Sequence, residues 1–116
     1  MAWHSHDDVS VLALSGRLDA YIAPRVAEWL EAAAQAQPAN VVVDLQNVTF
    51  IDSTGLAILV QGMRRCRQQA GELFLCALQK PVRVIFEVTR LDQAFNILPS
   101  EAEAVASARG SSHLAG

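Results

Sequence analysis

The sequence predicts a single-domain α/β protein. Its one mixed β-sheet should have about four or five strands, the later ones parallel, with about four helices packed on it. Three observations predict this. Apolar, β-branched runs of strand length at residues 9–14, 41–45 and 72–78 alternate with segments whose apolar residues recur at helical spacing. The intervening segments are long enough for the crossovers that parallel strands require. Finally, 116 residues with 52% hydrophobic and 18% charged side chains suit one packed core and exclude a disordered chain. Aromatics make up only 6%, so that core must be built from Val, Leu, Ile and Ala.

Residues 3–6 read as a short first strand, antiparallel to the next because the two are adjacent in sequence. His4 and His6 would share one face of it with Asp7 close by. Histidines near a terminus are ordinarily solvated, and no metal site is expected. VSVLAL at 9–14 is a buried strand, and SGRLD at 15–19 a turn. The next segment is a helix: Pro24 fits only its first turn, Val26, Leu30 and Ala33 recur at helical spacing, and Asp19 can serve its N-terminus. QPAN at 37–40 ends it.

VVVDL at 41–45 is the next strand, and residues 46–50 a connection that carries Val48 and Phe50 toward the core. A second helix spans about 53–69, with Leu56, Leu59, Val60, Met63 and Cys66 on its apolar face. Arg64, Arg65 and Arg67 crowd its last turns, where the macrodipole favours cations; they read first as a solvated helix end and second as a partner patch. Residues 72–78 form a strand, and about 81–89 a helix with Val82, Ile85, Phe86 and Thr89 on one side. Val84 and Val88 lie toward its other side: core if covered, candidate contacts if exposed. AFNIL at 94–98 is a last short strand, and 99–108 a closing helix.

Several functions are excluded or unsupported. A net charge of −3 does not suit a nucleic-acid binder. No apolar run approaches membrane-spanning length, and no secretory signal opens the chain. Cys66 and Cys76 are expected to be small buried thiols in a reducing cytoplasm rather than a disulfide or a zinc site. No G-x-S-x-G, Walker or G-x-G-x-x-G sequence occurs, and the histidines stand only at the two ends, so neither catalysis nor a cofactor is expected.

The stretch that remains is IDSTG at 51–55, where a strand hands over to a helix. Asp52, Ser53 and Thr54 can cap the helix N-terminus. The sharper reading is a hydroxyl displayed at the positive end of a helix, where a phosphate is tolerated. Asp19 follows a strand and precedes a helix in the same way, so the two acids can gather at one end of the sheet. Gly55 would let a partner backbone approach. On these residues alone, the capping role outweighs the phosphate site.

Three pieces in order, SVLALSGRLDAYIAP, VVVDLQNVTFIDSTGLAIL and GELFLCALQKPVRVIFEVTRLDQAFNIL, resemble a STAS domain of the bacterial anti-sigma-factor antagonist type. They cover nearly all of the chain after Asp8. The GRLD turn and the IDSTGL segment are specific in combination. The resemblance implies a STAS domain over 1–109 with a flexible tail at 110–116, and a cytoplasmic, non-enzymatic switch protein, monomeric or weakly dimeric. In that family the hydroxyl residue before the glycine is phosphorylated by an anti-sigma factor that is itself a serine/threonine kinase of the histidine-kinase-like ATPase fold. The unphosphorylated antagonist binds this kinase and frees a sigma factor; a metal-dependent PP2C-type phosphatase resets the system. Carried over, the acceptor is Thr54, with Ser53 the adjacent alternative and Asp19, Asp52 and Gly55 its surroundings. Threonine stands where sigma-factor antagonists usually have serine. Threonine also occurs there in stressosome-type members and in STAS subunits of phospholipid ABC transporters, so the resemblance leaves a second role: a regulatory or scaffold subunit, with Thr54 a contact residue.

Overall fold

A computed structural model describes the backbone of residues 1–6 and 8–115, and the side chains of all these except His6 and 111–115. One five-stranded sheet runs in the order β1 (Ala2–His6), β2 (Val9–Leu18), β3 (Asn40–Ile51), β4 (Glu72–Cys76), β5 (Asn96–Leu98). β1 is antiparallel to β2, and every later pair is parallel. The connections carry α1 (Ala23–Ala33), α2 (Ser53–Gln68) and α3 (Lys80–Val88), and α4 (Glu101–Ala115) closes the chain. The expected mixed sheet with later strands parallel and four helices is therefore present. Right-handed crossovers that advance in one direction put their helices on one face of a sheet. Accordingly the larger core cluster joins Leu12, Val43, Leu45 and Leu75 to Val26 and Leu30 of α1, Leu59 of α2 and Phe86 of α3. The opposite face is covered by α4, whose Ala104, Val105 and Ala108 pack on Val9, Val11, Val42 and Phe74.

Two strands are longer than their apolar runs. Residues 15–18, expected as a turn, and 46–50, expected as a connection, are paired with one another: Ser15 with Asn47, Gly16 with Val48, Arg17 with Phe50, Leu18 with Ile51. The register shifts twice along this ribbon, and Gly16 sits at φ +81°, which glycine adopts without a Cβ penalty. The shift turns Phe50 out of the core. It is 36% exposed, with the Arg17 guanidinium 3.9 Å above its ring, whereas Val48 is buried as expected.

α2 buries Leu59, Met63 and Cys66 of its expected apolar face. Ile58 and Gly62 are buried, while Leu56 and Val60 are half-buried. A Cβ at Gly62 would press on Leu30 and Leu73 at 3.0 and 3.2 Å. Arg65 approaches Glu31 at 3.8 Å. Arg67 bonds Glu72 at 3.0 Å and the Ala94 carbonyl at 3.1 Å, so it ties the helix end to the sheet and to the short 3₁₀ turn Leu91–Gln93. Val84 and Val88 are exposed, at 40% and 76%. Cys66 and Cys76 are free thiols in the two different core clusters.

α4 continues to Ala115, past the expected end at Ala108 and into the segment 110–116 expected as a flexible tail. Gly116 and the side chains of 111–115 lie outside the described residues. So do the side chain of His6 and all of Asp7, and with them the expected His4–His6–Asp7 grouping; His4 itself meets Glu101 at 3.4 Å. Among the described residues no cluster of three or more potential metal ligands occurs.

Candidate functional site

Parallel neighbours β2 and β3 end at the same edge of the sheet, and each turns there into a helix. Asp52 is the N-cap of α2: its backbone is extended, and its Oδ1 accepts from the N–H of Gly55 at 2.9 Å. Its second oxygen, Oδ2, accepts from the N–H of Ala20 in the neighbouring turn at 3.2 Å. The backbone adds a third tie, since the N–H of Asp52 donates to the carbonyl of Leu18 at 3.3 Å. One carboxylate thus closes its own turn and staples it to the next.

Asp19 closes the turn that leads into α1, whose own N-cap, Ile22, receives no side-chain cap bond. Its Oδ1 accepts from the N–H groups of Tyr21 and Ile22 at 3.1 and 3.3 Å, and its Oδ2 lies 3.5 Å from Nε of Arg17. The expected gathering of Asp19 and Asp52 at one end of the sheet is present; three of their oxygens accept from backbone N–H groups, and the fourth, Asp19 Oδ2, faces the Arg17 guanidinium. That arrangement suits two structural acids rather than an acid–base pair.

Gly55 has a different role from the expected one. It is buried, and its backbone lies so close to the Leu18 carbonyl that a Cβ would collide with that oxygen. Ile51 Cγ1 and Leu18 Cγ would both stand 3.0 Å from the same Cβ. The glycine therefore admits the end of β2, not a partner. Ser53 and Thr54, the first two residues of α2, are both exposed. α2 carries no acidic side chain in its first turn; the N–H of Gly55 is taken by Asp52 Oδ1 and that of Leu56 by the Asp52 carbonyl, which leaves the N–H groups of Ser53 and Thr54 as the unpaired donors of that turn. Sequence reasoning missed three contributors. Leu18 and Ala20 act through their backbone, which no side-chain pattern reveals. Tyr21 is 90% exposed beside the stapled turns, and its apolar identity hid it inside a helical pattern.

Residues 2–104 match the STAS domain family, nearly the full length of the described fold. The chain belongs to the STAS domain family. Among curated relatives, the anti-sigma-B factor antagonist of Listeria monocytogenes is 36% identical over 98 residues, covering 84% of this chain and 83% of the relative. Among solved structures, an anti-sigma factor antagonist from Mycobacterium paratuberculosis superposes with a TM-score of 0.83 at 29% identity, over 93% of this chain and 92% of that one. The Bacillus cell fate determinant SpoIIAA in its phosphorylated form shares the fold, with a TM-score of 0.69 at 22% identity over 91% and 98% of the two chains. Within this STAS domain the stapled turns and the two outward hydroxyls form the candidate site. No helix among the described residues is long and apolar enough to cross a membrane.

Proposed function

We propose that this STAS domain is an anti-sigma-factor antagonist, a cytoplasmic binding module rather than an enzyme, switched by phosphorylation at Thr54. Unphosphorylated, it binds an anti-sigma factor that is also a serine/threonine kinase of the histidine-kinase-like ATPase fold, and a sigma factor is released. The kinase transfers the γ-phosphoryl group of ATP to Thr54 Oγ, with ADP leaving and the hydroxyl proton passing to a base on the kinase. A PP2C-type phosphatase removes the phosphate. The observation that carries this reading is the exposed Thr54 side chain on a turn held rigid by Asp52 and Gly55. The names of the relatives point the same way.

The physics of the switch is local. A phosphate adds about −1.5 to −2 charge. At the start of α2 it would meet unpaired N–H groups and a favourable dipole, a gain of roughly 0.3–1 kcal/mol that the nearby acids Asp19 and Asp52 oppose. The fold is therefore little changed. At a contact surface made of this turn and the outward side of α2 (Ala57, Gln61, Arg64), the same group is bulky and strongly hydrated. A loss of about 3 kcal/mol there weakens binding roughly a hundredfold.

The test mixes the protein with a candidate kinase and ATP and maps the modified residue by mass spectrometry. Transfer to Thr54 and lost binding by Thr54→Glu are expected. No transfer to Thr54 or Ser53, together with intact binding by Thr54→Glu, overturns the switch. Co-purification with a transporter ATPase or a large particle, and no kinase, would replace it with the scaffold role.

A further inference from the structure

Three aromatic side chains are exposed among the described residues: Trp3, Tyr21 and Phe50. Two of them flank the turns that carry the candidate site, and printed contacts join them in one line. The Phe50 ring lies 3.9 Å under the Arg17 guanidinium, and Arg17 Nε stands 3.5 Å from Asp19 Oδ2. Asp19 Oδ1 accepts in turn from the N–H of Tyr21 at 3.1 Å. The N–H of Ala20, next to Tyr21, is held at 3.2 Å by Asp52, two residues before Thr54. The backbone under Tyr21 is thus tied to the same staple as the hydroxyl, while its ring is 90% exposed. α1 makes no use of that ring, since it buries Ala23, Val26 and Leu30 instead. A tyrosine on a fixed backbone has two χ angles left to order, so covering it costs little entropy.

We propose that Tyr21 is the anchor by which this chain docks on its kinase: the ring fills an apolar pocket beside the cleft that takes Thr54, with the Arg17–Phe50 stack at the pocket's rim. The inference rests on the reading of Thr54 as the phosphorylated residue, and it names what else the kinase must grip. A standard interface covers roughly 800 Å² of each partner, a patch roughly 30 Å across, so one centred on Thr54 takes in the stapled turns and Tyr21. Inside such patches a few residues dominate binding, and tyrosine and arginine are enriched among them. Tyr21 is a positioning residue: it touches no reacting atom and is covered equally before and during transfer. It therefore acts on docking and leaves the chemical step alone. Exposed apolar surface elsewhere has no such place. Val88, 76% exposed, ends α3, which runs back between the parallel strands β4 and β5 to the opposite edge of the sheet.

The test uses the full chain and the kinase that modifies Thr54, with binding measured by calorimetry and transfer by steady-state kinetics. Tyr21→Ala should raise Kd and KM by about tenfold or more, with kcat at saturation and the unfolding temperature unchanged. Val88→Ala, the control, should change neither constant. Tyr21 is the chain's single tyrosine, so nitration by tetranitromethane, mapped by mass spectrometry, gives a direct footprint. It should be nitrated readily in the free chain and protected in the complex. A Kd within twofold of the parent for Tyr21→Ala overturns the anchor, whatever the footprint shows. So does an equal loss with Val88→Ala, or a fall in kcat at unchanged KM. In each of these the parent chain is still phosphorylated at Thr54, so the switch itself stands. A parent chain that no such kinase binds or phosphorylates overturns the switch and the anchor together.

Discussion

Replacing Gly55 with alanine sets two effects of opposite sign against each other. Helix propensity favours alanine by about 1 kcal/mol, and φ is no obstacle, since Gly16 is the positive-φ glycine found among the described residues. Propensity alone thus predicts a stabilised protein. The packing predicts the reverse. The new Cβ would collide with the Leu18 carbonyl and press on Ile51 Cγ1 and Leu18 Cγ, both at 3.0 Å. A carbonyl in a paired strand cannot swing aside as a side-chain tip can. Relief requires α2 to move away from β2, which costs about 1–3 kcal/mol of overpacking and puts at risk the 3.3 Å bond from Asp52 N–H to Leu18, worth about 1 kcal/mol. The net expectation is a loss of about 1–3 kcal/mol, read as a fall of roughly 0.3–3 M in the urea midpoint. Gly62→Ala is the internal control. It has the same propensity gain in the same helix, but its Cβ would meet only the flexible ends of Leu30 and Leu73, at 3.0 and 3.2 Å. It should cost markedly less than Gly55→Ala. If Gly55→Ala is as stable as the parent, the close approach of β2 to α2 is wrong as a constraint.

Asp52→Ala should cost about 1–2 kcal/mol by thermal unfolding, because it strips a cap from α2 and a partner from Ala20. Asp52→Asn, which keeps one acceptor oxygen, should cost less, with faster amide exchange at either Ala20 or Gly55 but not both. Ala70, exposed at the end of α2, sits at φ +59°, so Ala70→Gly should raise stability by up to about 1 kcal/mol in urea titration, against the usual direction of an Ala→Gly change. Burial, reinforced by Glu72, pushes the Cys66 thiol up to about 12, and burial with Asp44 and Glu101 does the same for Cys76. Both should resist thiol reagents at pH 8 until the chain unfolds. Because the folded values are raised above the ordinary 9.0, the thiols' contribution is intact below pH 9 and is lost as pH rises toward 12. A Cys66→Ala/Cys76→Ala variant should therefore lose less stability than the parent between pH 8 and pH 10 in denaturant titrations.

The order of elements was legible because each strand and helix carries its own period. What was illegible depends on partners distant in sequence. Residues 15–18 and 46–50 look like polar loops in isolation, and become strand because each supplies the other's ladder. The same pairing, shifted in register at Gly16, turned Phe50 outward under Arg17. Leu56 and Val60 end up half-buried, while Gly62 packs tightly against Leu30 and Leu73. At the site, the capping and turn-closing acids Asp52 and Asp19 were readable from residue type and from their place between strand and helix. Gly55 was placed correctly and misread, since nothing local says whether a glycine makes room for a partner or for its own chain.

That misreading bears on how a hydroxyl can be modified without unfolding its host. The bonds that build the site run from Asp52 to Gly55 and Ala20, from Asp19 to Tyr21 and Ile22, and through the Leu18 carbonyl. None uses the side chain of Ser53 or Thr54. The acids and the glycine thus fix the turn, and the exposed Ser53 and Thr54 hydroxyls take no part in the bonds that hold it. A threonine that also capped the helix would lose that bond when its oxygen was esterified, and the cost would fall on folding as well as binding. Here the capping belongs to Asp52, so a group added at Thr54 acts on whatever rests against the turn.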